Sequence, residues 1–292
     1  MTHTIRHRLE YALFRLIWTV FAALPLTTAS NLGAAIGSVI GRIPTFSRRV
    51  ERNLRRAMPE LSPATRAAIQ TGVWRNLGRT AAELPHVGAF SLTETAPGQG
   101  QIQVVGAEYI GDSAGSLLFL AHLANWELVP AVTAKMGRSA HLVYRAINNP
   151  LIDQWIMRLR ANYSLGALAK GPAAARGIIA ALKQGQSVGM LVDQKMNDGI
   201  PVPFFGQPAM TAPALAQLAL RQNRAVIPLR CERLDRAAFR FTIHPPLNYA
   251  NTGDRAADVA ALMGQVNDLL ESWIRERPEQ WLWPHNRWPK QD

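Results

Sequence analysis

The segment His122-Leu-Ala-Asn-Trp-Glu127 holds an imidazole, an amide and a carboxylate within six positions. Histidine titrates near neutrality, so it can take up and return a proton during a reaction. A carboxylate on the far ring nitrogen fixes the tautomer and stabilises the imidazolium that develops. Such a pair suits acyl transfer to an alcohol, because a hydroxyl is a poor nucleophile until a base removes its proton. The acceptor brings its own hydroxyl, so no serine or cysteine nucleophile of the protein is needed. On one regular helix His122 and Glu127 would point roughly 140° apart. With His122 in a loop before the helix, the Glu127 carboxylate can turn back to the ring, and the two are expected to form a general-base dyad. The spacing alone is a weak signal. With 7 His and 20 acidic residues among 292, a histidine followed five positions later by an acid arises by chance roughly half the time. A satisfied structural histidine and a metal-ligand pair are the plainer readings, and no further metal ligands stand close in sequence.

Other polar groups also follow apolar runs. Arg145 comes just after Val143-Tyr144, and its planar guanidinium suits a phosphate or a developing oxyanion; a surface arginine is the plain alternative. Asp193 and Gln194 end the run Gly189-Met-Leu-Val192. Asp193 is placed to orient Arg145 or an acceptor hydroxyl, or else is a turn residue. Together with Asn125 these make up the candidate substrate-binding or oxyanion set: Arg145, Asp193, Asn125 and Gln194. Phe204 and Phe205, in Val202-Pro-Phe-Phe-Gly206 ahead of Thr211, are candidates to line an acyl pocket, although core packing is the default for two phenylalanines. The lone cysteine, Cys231, reads as a small buried hydrophobe.

These residues need elements to hold them. Helical spacing runs from Ser62 to Leu84 between Pro63 and Pro85, and recurs at 126–136, 150–162, 172–184, 212–223 and 255–277. Strand-like runs occupy 101–105, 116–121, 141–144, 187–192, 225–231 and 239–244. Strands alternating with helices predict an α/β domain with a mixed, largely covered central sheet. His122 then follows a buried strand at its C-terminal edge, where α/β sheets place their chemistry.

The N-terminal part is different. Arg6 and Arg8 precede an apolar run from Tyr11 to Leu24 that only Arg15 interrupts, and a second apolar stretch runs from Leu32 to Ile43. The first run would be about 21 Å long as a helix, short of the roughly 30 Å hydrocarbon core. It spans a membrane only together with the second stretch, kinked at Pro25, or it lies in the interface. A signal peptide and a buried core helix are the competing readings. Gly33, Gly37 and Gly41 give a small-residue face for close helix contact. Residues 1–42 are thus expected to be a membrane anchor and 43–292 the catalytic domain. The arginines at 42, 48, 49, 52, 55 and 56 place that domain on the cytoplasmic side by the positive-inside rule. The net charge of +12 fits an anionic partner, whether a membrane surface, a phosphorylated lipid or an acidic carrier protein. Nucleic acid is not expected, since no RNA-binding aromatic pattern accompanies the arginines.

With these segments laid out, the chain resembles the lipid A biosynthesis acyltransferase family, the lauroyl and myristoyl transferases of Gram-negative inner membranes. The resemblance is carried by His122 to Glu127, Tyr144-Arg145 to Asn149-Pro150, Asp193-Gln194, Val202 to Gly206 with Thr211, and the ending Pro278-Glu-Gln-Trp281 to His285-Asn-Arg-Trp288. Arg52-Asn-Leu54 and Asn76-Leu-Gly-Arg79 with Glu83 add to it. It implies a glycerolipid acyltransferase-like fold with one N-terminal membrane helix, His122 and Glu127 as the catalytic pair, and Arg145 and Asp193 in support. It also implies acyl-acyl carrier protein as donor. Acyl-coenzyme A is the alternative co-substrate, no resident cofactor or metal is expected, and the acceptor is expected to be a phosphorylated glycolipid at the inner membrane. The family usually has glycine where Ala124 stands, and a longer segment after Asp193-Gln194. Both departures bear on acceptor identity, since related enzymes acylate phosphatidylinositol mannosides, lysophospholipids or aminolipids. A lipid hydrolase and a non-catalytic lipid-binding protein are the competing functions. Trp281, Trp283 and Trp288 are expected to pack the last helix onto the sheet or to sit at a membrane interface.

Overall fold

Four consecutive apolar residues, Leu117 to Leu120, form a strand whose every side chain is buried, the mark of a strand covered on both faces. It is β3 of a computed structural model that describes residues 2–111, 115–169 and 172–289. The other strands are β1 (Ser91–Thr93), β2 (Gln101–Val105), β4 (Ala140–Tyr144), β5 (Gly166–Ala169), β6 (Ser187–Leu191), β7 (Lys195–Phe204), β8 (Gln207–Thr211), β9 (Val226–Asp235) and β10 (Ala238–Ile243). Eight of them form one sheet in the order β1-β2-β10-β9-β3-β6-β4-β5. β9 and β10 pair antiparallel while the other neighbours pair parallel, so the sheet is mixed, as expected.

The helices are α1 (Thr2–Ala23), α2 (Leu26–Ile40), α3 (Pro44–Ala57), α4 (Pro63–Glu83), α5 (Leu128–Lys135), α6 (Pro150–Ala161), α7 (Pro172–Lys183), α8 (Ala214–Gln222) and α9 (Arg255–Glu276). Caps mark several starts: Ser62 accepts from the Thr65 N–H, Asn149 from Leu151 and Ile152, and Asp254 from Ala257. β7 and β8 form a separate antiparallel ribbon joined by Phe205-Gly206, both at positive φ (51° and 65°), as a tight two-residue hairpin loop requires.

No helix among the described residues is long and apolar enough to cross a membrane. The single membrane-spanning helix that the resemblance implies is therefore not found among them. Helical geometry breaks at Pro25, and α2 is committed to packing on α4. A Cβ on Gly33 would come within 2.3 Å of the Gly78 carbonyl oxygen, and one on Gly37 within 2.0 Å of that of Trp74. The small-residue face thus serves close helix contact inside the body. Arg15, which interrupts the first apolar run, lies over the Trp155 ring of α6 at 3.9 Å.

Candidate active site

The register of two parallel strands builds the site. Leu120 of β3 pairs with Leu191 of β6, so two residues further on His122 and Asp193 emerge side by side. His122 Nδ1 lies 2.7 Å from Asp193 Oδ1. The His122 backbone N–H donates to Asp193 Oδ2 at 2.9 Å, and the Trp281 indole N–H to the same oxygen at 2.8 Å. Burial would raise the Asp193 pKa, but the His122 charge and these hydrogen bonds hold it down at about 2. A carboxylate only accepts, so the His122 proton sits on Nδ1 and Nε2 carries the lone pair. Nε2 meets the Gln194 side-chain nitrogen at 3.3 Å.

His122 and Gln194 border a cavity of about 410 Å³ whose other polar walls include Trp126, Glu127, Arg145 and Arg160. Its apolar walls include Leu118, Leu120, Leu142, Leu191, Leu229 and Val129. A base beside a greasy cleft of this size is the arrangement expected of a site that receives a lipid chain.

Glu127 does not reach His122. Its carboxylate takes two hydrogen bonds from Arg160 of α6, at 2.6 and 3.2 Å, and one from the Trp126 indole at 3.2 Å. The pairing expected from sequence proximity is corrected: the acid on the imidazole is Asp193, because strand register places it there while Glu127 sits at the start of α5 facing α6. Arg145 lines the cavity and is exposed. Asp193 does not orient it.

Asn125 is fully buried and outside the cavity lining, so its placement in the substrate-binding set is corrected. Its amide donates to Glu83 Oε2 at 2.9 Å. Phe204 and Phe205 are likewise absent from the cavity; they stack among Trp281, Trp283 and Trp288, so core packing is the observed role. Burial pushes the Cys231 thiol up to about 12, which makes it inert at neutral pH.

The His122 loop is held from behind by α4 and the C-terminal segment. Ala124 has φ 50°, a left-handed conformation that glycine adopts more cheaply. Its carbonyl accepts from Asn76 and Thr80 at 3.1 and 2.9 Å, and its N–H donates to the Gln280 carbonyl at 2.9 Å. Glu83 and Arg233 pair beneath it at 2.6 and 3.0 Å, with Arg233 also reaching Asn76 and Thr80. Trp281 is the site residue that sequence reading missed. Packing or a place at a membrane interface is what the sequence suggests for it, whereas its indole holds the carboxylate that holds His122. At the far end of the same segment, Arg287 binds the Thr211 hydroxyl at 2.6 Å.

Residues 3–290 match the family model for bacterial lipid A biosynthesis acyltransferases. The chain is 28% identical to a lipid A biosynthesis lauroyltransferase of Escherichia coli K12, covering 97% of this chain and 92% of that protein. It is 26% identical to a lipid A biosynthesis palmitoleoyltransferase of the same strain, over 93% and 88% of the two chains. Among solved structures, the 1-acyl-sn-glycerophosphate acyltransferase PlsC of Thermotoga maritima matches 90% of this chain and all of its own at 14% identity, with a TM-score of 0.39. The chain belongs to the bacterial lipid A biosynthesis acyltransferase family and is an acyltransferase.

Proposed function

We propose that the protein moves a fatty acyl chain from acyl-acyl carrier protein to a hydroxyl of a lipid A precursor, with His122 as general base and Asp193 as the acid that steadies it. The observation that carries this reading is the 2.7 Å His122–Asp193 contact beside the largely apolar cavity. His122 Nε2 takes the acceptor proton as the acceptor oxygen attacks the thioester carbonyl. The tetrahedral intermediate then collapses, the C–S bond breaks, and the departing thiolate takes the proton back from His122. Arg145, or backbone N–H groups at the start of α5, stabilise the oxyanion. Arg145 gives the cavity an exposed positive group suited to a phosphorylated acceptor, and this attraction should weaken as salt rises.

The reaction takes place on a membrane surface. Ile5, Leu9, Leu13, Leu16 and Val20 are all exposed along α1 at helical spacing, as are Leu32, Ile36, Val39 and Ile40 along α2. Such a strip supports shallow burial in the interface rather than a span. The α3 arginines at 48, 49, 52 and 55 are exposed and suit anionic headgroups on the cytoplasmic face.

The test is to incubate the purified protein with acyl-acyl carrier protein or acyl-coenzyme A and a panel of lipid acceptors, and to weigh the products. The reading expects acceptor mass to rise by one acyl group, with the carrier-protein donor preferred, and the product to vanish in His122→Ala. Thioester loss without an acylated product, or full activity in His122→Ala, would overturn it.

A further inference from the structure

A cavity of about 270 Å³ lies between α2, the turn into α3, and α4, and shares no lining residue with the His122 cavity. Its polar walls are Ser38, Arg42, Ser47, Gln70, Thr71 and the Trp74 indole, with no acidic side chain among them. Ser38 and Thr71 donate their hydroxyl protons to carbonyls of their own helices, at 2.9 and 3.0 Å. The donors left for a guest are the Arg42 guanidinium, the Gln70 amide, the Ser47 hydroxyl, whose own bond is a long 3.4 Å, and Trp74 Nε1. Trp74 Nε1 is buried without a hydrogen-bond partner among the described residues, and a buried donor is rarely left so. Gly41 is what admits the indole here: a Cβ at that position would stand 2.4 Å from the ring.

The surroundings are apolar and open. Val39, Ile40, Ile43 and Phe46 are all exposed next to this cavity, and the Phe46 ring packs on Trp74 at 5.6 Å. Donors without acids in a small polar cavity select an acidic oxyanion. An exposed apolar rim beside it selects hydrocarbon. The two together describe an amphiphile.

We propose that this cavity holds the phosphate headgroup of a membrane phospholipid, with its chains lying along Val39, Ile40, Ile43 and Phe46. The bound lipid is neither donor nor acceptor; it fixes the α2–α4 unit to the membrane and sets the height of the His122 cavity above it. The inference rests on the interfacial placement of α1 and α2 and not on the acyl-transfer step.

The test is a titration of the full chain, labelled with 15N at its tryptophan indoles, against dihexanoylphosphatidylglycerol below its micelle concentration. The Trp74 resonance is identified by its loss in Trp74→Phe. A saturable shift of that resonance is expected, with Arg42→Gln raising the half-saturating concentration about tenfold, the size of one charge-assisted hydrogen bond. His122→Ala should titrate as the unaltered protein does, whether or not the proposed reaction is correct. No shift would remove the site. An equal shift with inorganic phosphate would make it a free-anion site, and an equal shift with dihexanoylglycerol would leave only the apolar rim; either result overturns the proposal.

Discussion

Two glutamate–arginine pairs flank the His122 loop, and they differ mainly in their access to solvent. Behind the loop, Glu83 and Arg233 meet at 2.6 Å with side chains 0% and 8% exposed. Across the cavity, Glu127 and Arg160 also meet at 2.6 Å, but with side chains 17% and 21% exposed. The first pair is tied to Asn76, Thr80, Asn125 and Ser30 and bonds no group of the cavity. The second lines the cavity. The same chemistry thus serves two ends. A sealed pair fixes backbone, because breaking it strands a charge without water, while a half-open pair can exchange its partner for a ligand at modest cost.

The sharpest way to break this contrast is Glu83→Gln. It leaves Arg233 buried with no full counter-charge and is expected to cost about 3–5 kcal/mol in chemical denaturation. The double change Glu83→Gln with Arg233→Met should recover much of that loss. A cost under about 1 kcal/mol for the single change would mean that the back wall is not what holds the loop.

Asp193 stands between the walls. Its pKa is held at about 2 against an ordinary 3.8, so its ionised form stabilises the fold above about pH 4, and that contribution is lost as pH falls through about 2. The amount is about 2 kcal/mol. Asp193→Asn should therefore flatten the loss of stability between pH 5 and pH 2, read from urea midpoints; parallel curves for the two proteins would contradict the assignment.

Glu127→Gln is expected to cost only about 1 kcal/mol of stability, yet to raise the acceptor KM about tenfold as Arg160 loses its anchor. Stability loss equal to that of Glu83→Gln would erase the contrast. The smallest effect belongs to Ala124→Gly. Relief of the φ 50° strain offsets the lost buried methyl and the added backbone freedom, leaving a net change within about 1 kcal/mol. A loss well beyond that would show that the left-handed turn carries little strain.

Much of this was legible in the sequence. The alternation of apolar strands and helices gave the mixed sheet, and the abrupt polar ends of β3 and β6 marked His122 and Asp193 as site residues. Their partnership was not legible, because which strands lie side by side depends on long-range packing. Sequence proximity pointed to Glu127 instead. The register Leu120 opposite Leu191 decides the matter. α3 went unread because its arginines hide the spacing of Val50, Asn53, Leu54 and Ala57, all of them buried. β1 and β5, short edge strands of three and four residues, give too little period to detect. Phe204 and Phe205 show the opposite error, a function read into residues that the aromatic core had already claimed.

The most direct measurement compares kcat for Asp193→Asn and Glu127→Gln with saturating donor and acceptor. If Asp193 orients His122, Asp193→Asn lowers kcat about 10²–10⁴-fold, while Glu127→Gln leaves kcat within about tenfold. A kcat that survives Asp193→Asn and collapses in Glu127→Gln would contradict the account.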